Sequence, residues 1–288
     1  MSRAAAFNRI AVRPLSGALG AEVAGADLAD LDHGTFAEIH RALLQHQVIV
    51  FRGQDLSVEA QKAFGERFGP LYVHPYLTAM KGHREVIEVV KEPGRAKNFG
   101  GSWHADLTYL ERPMMGAVLN ALDVPPYGGD TLFASMYAAW ESLSAGLRTT
   151  LSHLKAVHDD GRTGYFQQDR VGAMRVRDET SDGSVGTAFA HPVVHSHPET
   201  GRQALLVSEL VTTHFEGMTA EESRPLLSYL FAHLQRPEFT CRVRWEQGTV
   251  VVWDNRCTQH LAINDYPDFR RAMRRVLIAG EKPIPATP

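Results

Sequence analysis

The strongest constraint on this chain is the distribution of its apolar residues. They fall into short runs at residues 47–51, 114–124, 131–134, 203–207, 239–245, 249–253 and 272–279, divided by Gly, Pro and polar stretches. Runs this short, rich in β-branched and aromatic residues, read as strands. Residues 9–15, 85–91 and 187–194 read as strands too, with a Gly-rich turn region at 16–25. Helices are fewer. Thr35 and Glu38 have the spacing of a capping box, opening a helix with Phe36, Ile39 and Leu43 on one side. Ser57 caps a second, with Ala60, Phe64 and Phe68 as its stripe. Two more follow from residue 136 to about 154, and Thr219 with Glu222 caps a helix over 220–235. Many short strands with few helices predict a mainly β (α+β) chain, a jelly-roll barrel decorated by helices. Residues 1–288 read as one domain, and the polar, Gly-rich residues 161–186 as an insertion serving as a lid.

Composition removes several classes of function. The 33 acidic and 30 basic residues leave a net charge of -3, without the basic footprint of a nucleic-acid binder. No apolar run approaches the roughly 20 residues of a membrane-spanning helix. The two cysteines, Cys241 and Cys257, have no metal-type spacing and read as buried thiols of a cytoplasmic protein. The expected assembly is a homo-oligomer, a dimer or tetramer.

The chemistry is carried by His104-Ala105-Asp106. On an extended strand the imidazole and the carboxylate share one face. With His260 they complete two histidines and one carboxylate, a facial set that leaves three positions open on Fe(II). Two neutral imidazoles and one carboxylate leave ferrous iron with about one positive charge, suited to chelating a 2-oxo acid. The far carboxylate of 2-oxoglutarate then needs a planar guanidinium, and Arg271 follows His260 by eleven residues. Thr131 adds a hydroxyl donor. Arg275 shares a strand face with Arg271 and is free to hold a second anion, whereas Arg270 and Arg274 face the other way and read as solvated. O2 would take the last open position.

His104-x-Asp106, Gly128-Gly129-Asp130-Thr131, Trp253-Asp254-Asn255-Arg256, Thr258-Gln259-His260 and the Arg271/Arg275 pair together resemble the taurine dioxygenase (TauD/TfdA) family. The likeness runs from about residue 10 to 283. It implies an Fe(II)- and 2-oxoglutarate-dependent dioxygenase on a double-stranded β-helix, with His104, Asp106 and His260 as iron ligands. Thr131 and Arg271 would bind 2-oxoglutarate and Trp253 would line its pocket. His74 and Arg275, with the Leu107 N–H, would hold the anion of a small organic substrate. The family's taurine enzyme has an asparagine where this chain has Gly100 and a tyrosine where it has Leu77, next to Tyr76. The amine side is therefore smaller and more apolar here. Residues 9–15 and 239–245 look closest to the aryloxyalkanoate members. The resemblance implies hydroxylation of a sulfonate, sulfate ester or aryloxyalkanoate, releasing succinate and CO2, with C–O or C–S cleavage open to it.

Other readings use the same residues. A biosynthetic oxygenase or desaturase acting on an amino-acid-like substrate would share the fold. A non-catalytic jelly-roll binding protein would not need the trio, and a cupin-type metalloprotein would use His195-x-His197. That pair and His158-x-Asp160 both have metal-like spacing. Neither has a matching downstream His/Arg pair, and both read as structural.

Overall fold

The structure is a computed structural model describing residues 6–74, 77–160 and 188–286. The expected lid at 161–186 and Tyr76 lie outside these residues. Two layers face each other, antiparallel except where Ala21–Ala24 runs parallel to Val48–Phe51. The larger is eight-stranded and runs Ala11–Pro14, Ala21–Ala24, Val48–Phe51, Val250–Asp254, Gly116–Asp123, Arg271–Ile278 and Leu71–Tyr72, with Val86–Lys91 also paired to Arg271–Ile278. The smaller is three-stranded, with Thr131–Ser135 between Thr240–Val243 and Thr258–Ala262. This is the jelly-roll arrangement that the run pattern predicts.

Both faces of the larger sheet are covered, which is why its strands show little polar alternation. Val48, Val50, Val251, Trp253 and Met273 point between the sheets, against Phe133, Cys241 and Val243 of the smaller one. Their neighbours Ile49, Phe51, Val250, Val252 and Val276 point outward, under Ile39, Leu43 and Phe64 of the helices His33–His46 and Val58–Glu66. Each such side chain, fully buried, contributes roughly 1.5–3 kcal/mol. The outer face of the smaller sheet packs on Met136–Glu141 and Ala220–Leu234 through Tyr137, Trp140, Leu230 and Leu234. Among the described residues no helix is long and apolar enough to cross a membrane.

Several expectations need correction. The first helix is capped by Asp32, whose side chain accepts from the Thr35 N–H, so Thr35 lies inside the first turn. Glu38 instead accepts the backbone N–H groups of Asn8, Arg9 and Ile10 and ties the incoming chain to the helix. Ser57 caps as predicted, and Thr219 with Glu222 forms the predicted box. Arg274 does face away from Arg271, but it is buried, not solvated. The helix Val58–Glu66 lies over it, and its guanidinium donates to Gln61 Oε1 at 2.7 Å and to the Leu56 and Ser57 carbonyls. Arg270 is exposed and pairs with Glu92 and Asp123. The strands Ala21–Ala24, Lys155–Asp159, Thr212–Phe215 and Thr258–Ala262 lie in stretches whose sequence pattern does not announce them.

His158 is buried against Thr108 at 2.9 Å and Thr212 at 3.3 Å. Burial pushes its imidazole down to about 3. The unfolded chain takes up that proton near pH ~6.5, so stability is full above that value and falls as pH drops toward the folded pKa. The expected contribution at pH 5 is a loss of about 2 kcal/mol. Urea unfolding of the wild type and of His158→Asn at neutral pH and near pH 5 measures this. The variant's acid-induced loss should be smaller by about that amount, and an equal loss would clear His158 of the role.

Candidate active site

The interior between the two sheets holds the predicted constellation. His104 is not on a continuous strand as expected. It makes a single antiparallel bridge with His260, and the chain turns at once, because Leu107 adopts the left-handed φ of +52°. His104 N–H donates to His260 O at 3.1 Å and His260 N–H to His104 O at 2.8 Å. His260 is held in turn by its pairing with Phe133 on the smaller sheet. Thr131 lies on the same strand, Thr131–Ser135, opposite Ala262 and Val243.

His104, Asp106 and His260 are all buried, and one donor atom of each lies within 4.8 Å of the others. Asp106 Oδ1 is 3.8 Å from Nε2 of both histidines, too far for hydrogen bonds and near enough to converge on one ion. His104 Nδ1 lies 2.8 Å from the Ser102 carbonyl, which takes the ring N–H and leaves Nε2 as the free lone pair. Burial depresses both imidazole pKa values, so both are neutral. Burial alone would raise Asp106, but the Arg275 guanidinium beside it outweighs this and holds the carboxyl well below the usual range. Two neutral nitrogens and one ionised carboxylate are the donor set that ferrous iron takes.

Two cavities flank the cluster, sharing Phe99, His104 and Arg275. The first is lined by Thr131, Trp253, His260 and Arg271, and the second by His74, Leu77, Asp106, Leu107, Leu210 and Val211. Arg271 is buried without an acidic partner among the described residues, and its Nε makes no hydrogen bond there. Burial lowers its pKa, and only the Tyr266 hydroxyl and the charge of Asp130 counter this. Such a guanidinium calls for an anionic ligand. The Trp253 ring lies 4.8 Å from that of His260, with Arg275 over it at 5.3 Å. Arg275 Nη2 pairs with Asp106 Oδ2, leaving Oδ1 to face the histidines.

Every proposed site residue therefore lines one of the two cavities, with one shift of place. Gly100 borders the Arg271 cavity, not the His74 cavity, and at φ +79° a Cβ there would stand 3.2 Å from His104 Cε1. The glycine gives the imidazole room. Sequence reasoning missed Trp245, whose indole N–H donates to Thr131 Oγ1 at 3.0 Å beneath the Arg271 guanidinium. Its signal was available, since Cys241, Val243 and Trp245 alternate. Phe99, Leu210 and Val211 come from irregular stretches with no periodic signal. A larger cavity of about 340 Å³ lies behind Asn255. Of its charged walls Glu199 pairs with His40 and Arg256, and it contains none of the three residues of the His104–Asp106–His260 cluster, which border the two smaller cavities.

The other spaced pairs are structural. His195 Nε2 donates to the Arg256 carbonyl at 2.7 Å. His197 is 2.9 Å from Asp254, and although Cys257 stands close by, Arg256 already saturates that carboxylate. In His158-x-Asp160 the histidine is used by threonines, while Asp160 reaches the wall of the His74 cavity.

A jelly roll whose interior gathers two histidines, a carboxylate and two inward arginines belongs to the class of 2-oxoglutarate-dependent non-haem iron dioxygenases, which use Fe(II), 2-oxoglutarate and O2. Comparison with known proteins makes this specific. Residues 11–277 match the family model described as taurine catabolism dioxygenase TauD, TfdA family, and the chain belongs to that family. It is 36% identical over 277 residues to the alkylsulfatase of Acinetobacter baylyi, covering 95% of this chain and 86% of that protein. It is 36% identical over 276 residues to the alpha-ketoglutarate-dependent sulfate ester dioxygenase of Pseudomonas putida, covering 95% and 90%. A taurine dioxygenase structure from Burkholderia xenovorans superposes with a TM-score of 0.81 at 36% identity, covering 96% of this chain and 93% of that one.

Gly100→Ala tests the packing behind His104. Left-handed backbone strain alone costs about 1–2 kcal/mol, and the methyl presses on the ring. The expected result is a lower melting temperature and roughly tenfold weaker Mn(II) binding in an equilibrium titration. Wild-type Mn(II) affinity would show that the ring is not displaced.

Proposed function

We propose that this dioxygenase opens small alkyl sulfate esters, oxidising the carbon that bears the ester oxygen. The carrying observation is the strand Arg271–Ile278. Arg271 and Arg275 sit on one face, roughly 13 Å apart along an extended chain, and point into the two cavities on either side of the His104–Asp106–His260 cluster. One guanidinium suits the far carboxylate of 2-oxoglutarate, and the other, with His74, suits a second anion. Around that second anion site stand Leu77, Phe99, Leu107, Leu210 and Val211, walls for an aliphatic chain. An anionic head with an apolar tail fits this pocket, and the sulfate-ester relatives support the choice.

In this reading His104, Asp106 and His260 hold the metal, and Thr131, Arg271 and Trp253 form the cosubstrate pocket. His74, the Leu107 N–H and Arg275 hold the sulfate, and Gly100 keeps the His104 ring in place. Bound ferrous iron supplies the chemistry by which O2 decarboxylates 2-oxoglutarate to succinate and CO2 and places one oxygen atom in a substrate C–H bond. The protein's part is placement. Arg271 neutralises the far carboxylate, and Trp245 occupies one lone pair of Thr131 so that its hydroxyl proton can be donated. The apolar walls exclude water. Once the ester-bearing carbon carries a hydroxyl, the hydroxyl proton leaves and the C–O bond breaks, giving an aldehyde and sulfate. Residues 1–288 are read as one dioxygenase domain, supported by the family match over 11–277. The unbridged, buried Cys241 and Cys257 support a cytoplasmic setting.

Succinate release across sulfate esters, sulfonates, aryloxyalkanoates and phosphonates tests the substrate class. The fastest turnover should come from alkyl sulfate esters, with sulfate appearing in step with succinate. Faster turnover of an aryloxyalkanoate, a sulfonate or an amino-acid-like compound would overturn the sulfate-ester reading. In Arg275→Gln, loss of a charge-assisted contact worth about 2 kcal/mol or more should raise the substrate KM some 30-fold. Substrate-independent oxoglutarate turnover should persist at saturating iron, which offsets the loss of the Arg275–Asp106 pair. An unchanged KM would remove Arg275 from the anion site.

A further inference from the structure

Leu107, directly after Asp106, is one of two non-glycine residues with positive φ among the described residues, at +52°. The left-handed region costs a β-carbon-bearing residue about 1–2 kcal/mol, so a local interaction must hold the turn. The side chain of Asn255 supplies it. Its Oδ1 accepts the Asp106 N–H at 2.7 Å, and its Nδ2 donates to the carbonyls of Asp106 and Met114, each at 3.1 Å. The Asn255 N–H donates to Met115 O at 2.9 Å. Both amide hydrogens and the carbonyl oxygen are thereby engaged, and turning the amide over would set donor against donor. One side chain thus closes both ends of the loop 106–114.

The mount is rigid. Asn255 is buried and follows the strand Val250–Asp254, five residues before His260. Asp254 beside it is held by Arg256 at 2.8 and 2.7 Å and by His197 at 2.9 Å. Asn255 therefore ties the segment that carries the carboxylate to the turn that leads into His260.

We propose that Asn255 is a positioning residue of the metal centre: its amide fixes the Asp106 main chain and the left-handed turn at Leu107, and so sets the metal affinity. It touches neither a donor atom of the cluster nor either cavity beside it. The inference rests on Asp106 being a metal ligand, and the test separates the two.

Mn(II) affinity of the metal-free protein is measured for wild type, Asn255→Ser and Asp106→Ala. The iron half-saturation of activity and the oxoglutarate KM at saturating iron are measured alongside. Asn255→Ser should bind Mn(II) about 10- to 100-fold more weakly and need correspondingly more iron. Its oxoglutarate KM should stay within about twofold of wild type, a split that general loosening of the fold would not produce. Asp106→Ala should lose measurable Mn(II) binding. Wild-type Mn(II) affinity in Asn255→Ser, with Asp106→Ala inactive in binding, overturns the role of Asn255. Wild-type affinity in Asp106→Ala overturns the ligand assignment itself. Should Asn255→Ser melt below the assay temperature, both proteins are titrated at a lower temperature at which the variant is folded, and equal Mn(II) affinity there also overturns the proposal.

Discussion

The site depends on one reciprocal pair of backbone hydrogen bonds, between His104 and His260. It is a single bridge outside any regular ladder, yet it fastens the loop at 104–114 to the smaller sheet. His260 inherits its place from the ladder with Phe133, and His104 inherits its place from His260. Two histidines 156 positions apart are therefore brought together by local geometry on a rigid sheet. The carboxylate then needs only to be turned toward them, which Leu107 and Asn255 do.

Charge placement follows the same economy. The strand Arg271–Ile278 carries three buried arginines, and its pleat sorts them. Arg274 faces outward and is satisfied by Gln61 and two carbonyls, so it supports the helix over it. Arg271 and Arg275 face inward, where ligands are received. Burying a guanidinium without an acid is unfavourable. That penalty at Arg271 suits the cavity it borders to an anion.

Much of this was legible in the sequence because strand alternation fixes which residues share a face. That rule placed Arg271 with Arg275 and set Arg274 apart from them. It says nothing of what covers the far side, so Arg274 read as solvated although the helix Val58–Glu66 lies on it. His104, Asp106 and His260 were legible as residue types with the right partners downstream. The form of the backbone at His104 was not, because a left-handed leucine leaves no mark in composition or period. Trp245 was missed although it continues the alternation of Cys241 and Val243. Asn255 stood in a quoted motif without a role, since an amide's function depends on which main chain it meets. Phe99, Leu210 and Val211 come from loops, where only the folded chain decides what faces the cavity. Asp32 displaced the predicted Thr35 box because two capping residues stood close together and the earlier one took the helix start.

The two cavities meet only at Phe99, His104 and Arg275. This near-separation has a consequence for how such a chain can diverge. Leu77, Leu210 and Val211 can change size or polarity without touching Thr131 or Arg271, so one cavity can be reshaped while the other stays intact. Arg275 is the exception, since it borders both compartments and leans on the carboxylate. A substitution at Arg275 therefore reaches both cavities and the Asp106 carboxylate at once.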